Sequence, residues 1–127
     1  MKYKYLLKIY FLLIFLSISS FANDFDDNYL HCDQVPEGNP FGLVFENSNV
    51  SQIGIENFKK IYDYSENYII LNQEVKWLNV SLNLKKLTLH IGNQDNHFAK
   101  CEKIKTLSKL NKLLESFIIS QQYKNTI

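Results

Sequence analysis

"SLNLKKLTLHIG", residues 81–92, alternates like a strand and then changes step. Leu82 and Leu84 fall on even positions, whereas Leu87, Leu89 and Ile91 fall on odd ones. Side chains along a strand alternate faces with period two, so the change of parity requires either a bulge or a reversal of the chain. A reversal at Asn83–Lys86 sets Leu82 opposite Leu87, Val80 opposite Leu89 and Leu78 opposite Ile91 on one apolar face. Ser81 then meets Thr88 and Asn79 meets His90 on the other. Apolar on one face and polar on the other is the pattern of a half-buried antiparallel sheet, and it favours a hairpin. Leu84 in an exposed turn is the one feature that speaks for a bulge.

The rest of the chain extends the pattern. "LHC" at residues 30–32 reads as a short first strand, and "DQVPEGNP" as a loop. "FGLVFE" and "VSQIGIE" read as a hairpin around Asn47–Asn49, with Leu43 facing Ile53 and Phe41 facing Ile55. "NFKK" reads as a connection of one helical turn. "IYDY" and "YIIL" flank "SEN" as a second hairpin, and "NQE" turns the chain into a strand "VKWLNVSL". "HFAKCEKI" is a last strand. Leu107, Leu110, Leu113, Leu114, Phe117 and Ile118 then recur at three and four, which is one stripe of an amphipathic helix capped by Thr106 or Ser108. The expected fold is mainly β: a small antiparallel meander, barrel or sandwich, with a C-terminal amphipathic helix. Residues 30–104 form the β domain and 105–122 the helix.

The first residues point to export. Lys2, Lys4 and Lys8 precede the uncharged apolar run Ile9–Ile18, and Ser20 and Ala22 stand at the small-residue positions of a cleavage site. The apolar run is about half of the ~20 residues a membrane span needs, so residues 1–22 read as a signal peptide that leaves no stable membrane anchor. Residues 23–29, "NDFDDNY", read as a flexible acidic leader. From residue 23 on there are eleven lysines, no arginine and thirteen acids, a formal charge of −2. Without a cationic surplus or a guanidinium fork, nucleic acid is excluded as a partner. Cys32 and Cys101 are expected to pair in an oxidising compartment, periplasmic or extracellular.

Trp77, the turn Leu82-Asn83-Leu84-Lys85-Lys86-Leu87-Thr88-Leu89 and Cys101 resemble a hairpin pattern of small exported bacterial β-rich proteins of unknown function: Trp, then Leu-Asp-Arg-x-Thr-Leu-x-Leu, then Cys. Leu82, Leu87 and Leu89 match, whereas Asn83, Leu84 and Lys86 depart from the pattern. The resemblance implies a small secreted β protein and brings no activity or site residues. By size and disulfide-tied β architecture the chain also resembles periplasmic lysozyme-inhibitor barrels, a likeness of fold alone.

No catalytic constellation emerges. There is no nucleophile elbow and no glycine-rich phosphate loop. His31, Cys32, His97 and Cys101 offer zinc-type ligands, but export favours a disulfide over a metal, and no cofactor is expected. His90, Asn79 and Thr88 form the only compact polar group, which reads as cross-strand pairs facing water. Lys105, Lys109 and Lys112 flank the helix stripe, either as its wet side or as a contact for anionic lipid. Tyr62, Tyr64, Tyr68 and Trp77 are candidate partner-binding aromatics, against the plainer role of filling a small core. The expected function is a non-catalytic exported binding module acting on an envelope or other periplasmic protein. The alternative is a carrier of a small apolar ligand in a barrel interior.

Overall fold

A computed structural model describes residues 25–92 and 94–125. The expected signal peptide, residues 1–22, and the first two residues of the expected leader lie outside them. Nine strands, β1 (Asn28–Gln34), β2 (Phe41–Glu46), β3 (Asn49–Glu56), β4 (Lys59–Asn67), β5 (Ile69–Leu71), β6 (Glu74–Trp77), β7 (Val80–Asn83), β8 (Thr88–Ile91) and β9 (Ala99–Ile104), precede one helix, α1 (Leu107–Asn125). They form a single antiparallel sheet in the order β4-β3-β2-β1-β9-β8-β7-β6-β5, curled into a nearly closed barrel. Every strand pairs with its neighbour in sequence except β4 with β5, and β1 pairs with β9. The ring therefore joins where the chain's ends meet and stays open in its middle.

Cys32 and Cys101 stand directly opposite each other in the β1–β9 ladder and are bonded, with a Cα–Cα distance of 4.0 Å. The staple thus locks the pairing with the largest separation in sequence, which has the highest cost in loop closure.

Residues 81–92 do reverse. The closing pair is Asn83 and Thr88, around the turn Leu84–Leu87, and Leu82 lies opposite Leu89 and Val80 opposite Ile91. The expected register is therefore displaced by two residues, which preserves parity and keeps the apolar face intact. Asn83 sets the turn, because its Oδ1 accepts from the amides of Lys85 and Lys86 at 2.9 and 3.0 Å. Leu87 closes it with a positive φ of 55°. Leu84 is no liability: it packs against the core.

Four expectations are corrected. The β2–β3 turn is two residues, Asn47–Ser48, both with positive φ, so Gly42 and not Leu43 faces Ile53. That one-residue shift gives the hairpin two apolar faces: Leu43, Phe45 and Val50 inward, Val44 and Ile53 outward under α1. "NFKK" is no helical turn. Asn57–Phe58 is a second two-residue turn with positive φ at both positions, joining β3 to β4. "IYDY" and "YIIL" do not pair, since β4 and β5 are opposite edges of the sheet. "VKWLNVSL" is two strands turned at Leu78–Asn79. Asn leads three two-residue turns, Asn47–Ser48, Asn57–Phe58 and Asn72–Gln73 between β5 and β6, because its short amide tolerates the left-handed backbone that such hairpin turns require.

The leader is also more ordered than its composition suggests. Phe25 is buried, with its ring 4.7 Å from that of Phe45. Asp26 accepts from the Ser48 amide and from the Tyr68 hydroxyl. The helix begins two residues later than expected, with Thr106 Oγ1 capping the Lys109 amide at 3.1 Å. Its buried row is Leu110, Leu114 and Ile118, and Leu107 and Leu113 are exposed. The row is narrow because α1 lies on the outer face of β1 and β2, where Gly42 leaves room for Leu110.

Candidate functional site

The gap in the ring is the most distinctive feature of the surface. Tyr68 alone separates β4 from β5. β4 is hydrogen-bonded only to β3, and β5 only to β6. Tyr68 is therefore a corner at which the chain leaves one edge of the sheet and becomes the other. Its amide donates to the Ser48 carbonyl at 3.2 Å, and its hydroxyl donates to Asp26 Oδ1 at 2.6 Å. Its ring packs edge-on to Phe45, 5.3 Å between centroids. These bonds pin the corner to the β2–β3 turn and hold the two edges apart.

Side chains bridge the gap from within. Trp77 Nε1, on β6, donates to the Tyr64 hydroxyl, on β4, at 2.9 Å. Trp77 also packs on Phe45 at 5.8 Å. Burial raises the Tyr64 phenol above its ordinary pKa, and the Asp63 and Glu66 carboxylates add to the rise; the indole donor opposes it by favouring the phenolate.

A bulge decides which tyrosine is which. Gln52 pairs with Tyr64 but Ile53 pairs with Tyr62, so Asp63 is an extra residue on β4. Two residues apart would ordinarily mean the same face. Here Tyr64 points inward to Trp77 while Tyr62 is 75% exposed. The Asp63 carboxylate lies over Gly54, where a Cβ would stand 2.5 Å from Asp63 Oδ2.

Of the aromatics expected to meet a partner, the structure therefore leaves one outside. Trp77 and Tyr68 are buried, Tyr64 is half-buried against the core, and only Tyr62 is presented to solvent. The apolar surface that sequence reasoning missed is β5. Ile69, Ile70 and Leu71 are all exposed, on an edge strand with no charge, proline or bulge. β4 carries the opposite devices, Lys59, Lys60, Asp63 and Glu66 together with the bulge, which discourage indiscriminate pairing. The uncharged run "YIIL" was visible in the sequence; its place at an edge was not.

The remaining candidates resolve locally. Both cysteines are consumed by the disulfide, so they offer no thiolate. His31 Nδ1 lies 4.0 Å from Glu102 and has no hydrogen-bond partner. Thr88 and His90 share an outer face 3.0 Å apart, and His90 Nδ1 is 3.2 Å from the Gln94 carbonyl. Asn79 sits instead in the β6–β7 turn, where its carbonyl accepts from the Gly92 amide. The barrel interior is occupied by Phe25, Phe45, Tyr68 and Trp77 in ring contact, where a carrier would need a cavity.

No family model matches the chain, and comparison with curated proteins and with solved structures finds no match. Among the described residues no helix is long and apolar enough to cross a membrane. That and the disulfide are compatible with a periplasmic or extracellular location.

Proposed function

We propose that the protein is an exported, non-catalytic binding module that captures an extended segment of an envelope protein by strand addition at the β4/β5 gap. The observation that carries this reading is the pair of unsatisfied edges on either side of one corner, the three-residue β5 edge wholly apolar. An added strand gains main-chain hydrogen bonds along an edge, and side chains at alternate positions give it selectivity. Tyr62 and the Ile69–Leu71 run supply the apolar contacts. The Asp26–Tyr68–Ser48 bonds and the Trp77–Tyr64 bond hold the gap in shape before a partner arrives, which lowers the ordering cost of binding. The filled interior favours this reading over a carrier.

The test uses residues 23–127 with the disulfide formed, immobilised and exposed to envelope extract. The comparison is the variant Ile69→Lys/Leu71→Lys, which places charge on the edge and leaves the core untouched. A partner retained by the parent and lost by the variant, with unchanged circular dichroism, supports strand addition. Equal retention by both refutes it.

A further inference from the structure

We propose a second site, independent of the gap: a groove for an anionic phospholipid surface between the end of β9 and the first half of α1. The groove has a volume of about 380 Å³ and is lined by Lys103, Ile104, Lys105, Lys109, Lys112, Leu113 and Ser116. It gathers four of the eleven lysines found after residue 22, in a stretch whose formal charge is −2. Among the described residues Lys60 pairs with Glu115 and Lys76 with Glu74, and none of the four lysines takes part in an ion pair. Glu115, the acid nearest in sequence to Lys112, is thus engaged elsewhere. Lys103 instead lies over the Phe25 ring, 5.7 Å from its centroid.

Ammonium groups that line one groove without ion pairs repel one another, and an anionic surface relieves that repulsion. The apolar residues argue for a lipid surface over a soluble anion. Leu113 is 40% exposed in the groove, and Ile119 and Tyr123 are 64% and 69% exposed further along the helix. With the buried row of α1 seated on the sheet, these lysines and the exposed leucine, isoleucine and tyrosine lie on its outward side, where the charges can meet headgroups and the apolar tips enter the boundary beneath. Lysine suits this role, as a point charge that serves many headgroups without fixed geometry. Because the domain as a whole is weakly acidic, attraction to such a surface through this groove orients the molecule on it.

The test is co-flotation of residues 23–127, disulfide formed, with vesicles of phosphatidylglycerol and phosphatidylcholine (1:3) and of phosphatidylcholine alone. The parent is expected to float with the first and not the second, and to be released by 0.5 M salt. Each juxtamembrane lysine contributes roughly fivefold in affinity, so Lys109→Glu/Lys112→Glu is expected to lower binding by at least roughly 25-fold. Lys85→Glu/Lys86→Glu, in the β7–β8 turn, makes the same change of net charge outside the groove and is expected to bind like the parent. Glycerol 1-phosphate at 10 mM is expected not to displace the protein. The proposal is overturned by equal flotation with both vesicles, by none with the anionic ones, by equal loss in the two variants, or by displacement with glycerol phosphate, which would mark a soluble-anion site.

Discussion

Replacing Trp77 by Ala separates a core role from a surface role for the chain's one tryptophan. The indole is 3% exposed and touches Phe45, and its N–H holds the Tyr64 hydroxyl. Truncating a buried tryptophan costs about 3–5 kcal/mol. The orphaned, half-buried Tyr64 hydroxyl adds a cost of about 1 kcal/mol. The expected total of about 4–6 kcal/mol is a large share of the roughly 5–15 kcal/mol that holds such a domain together. At about 4–8 °C per kcal/mol for a domain of this size, the melting temperature should fall by at least about 15 °C. Urea denaturation followed by far-UV circular dichroism measures the change without relying on the lost fluorophore. The slope with denaturant should be unchanged if the native state keeps its compactness. Trp77→Phe, which keeps a ring and removes the donor, should cost less. Tyr62→Ala, at 75% exposure, should stay within about 0.5 kcal/mol. A Trp77→Ala cost below about 1 kcal/mol would refute the inward placement of β6 and, with it, the side-chain bridge across the gap.

Three further outcomes follow from other parts of the fold. The raised Tyr64 pKa means that its contribution to stability is fully present below about pH 10, the unfolded-state value, and is lost as pH rises through the folded-state value; Tyr64→Phe should flatten that part of the alkaline limb in denaturation at pH 9–12. Cys32→Ala/Cys101→Ala releases a loop of sequence separation 69 and should cost on the order of 4 kcal/mol in urea denaturation; a loss under about 1 kcal/mol would show that the β1–β9 pairing needs no staple. Gly42→Val puts side-chain atoms where a Cβ alone already stands 3.0 Å from Leu110 Cδ2, so α1 must lift; the cost should be about 1–3 kcal/mol, with faster proteolysis within residues 107–125, and an unchanged helix would show that α1 is not seated there.

Local chemistry made much of the fold legible. The apolar pairing of residues 81–92 gave the hairpin, the two cysteines gave the staple, and the leucine spacing with Thr106 gave the helix and its cap. Register was harder, because it hangs on turn length. Reading Asn47–Asn49 as three residues where two suffice moved every side chain of β3 to the wrong face. Phe58 holds a left-handed backbone that its residue type does not advertise, so the β3–β4 hairpin had no sequence signal beyond Asn57. The candidate site failed for the same reason. Tyr62 and Tyr64 look equivalent until the bulge at Asp63 sends them to opposite faces, and Trp77 looked like an exposed anchor only while its strand was taken to be twice as long. The open edge is a property of the ring as a whole, and no window of sequence contains it.

The gap itself can be measured directly, before any partner is known. Amide hydrogen exchange of the oxidised, unliganded domain, resolved residue by residue, should find β1 protected along both sides, and β9 protected along its β1 side and, as far as Cys101, along its β8 side. Along β4 and β5, only the amides turned toward β3 and β6 should be protected, and those turned into the gap should exchange rapidly. Uniform protection through residues 59–71 would mean that the ring is shut there and that no edge is offered for capture.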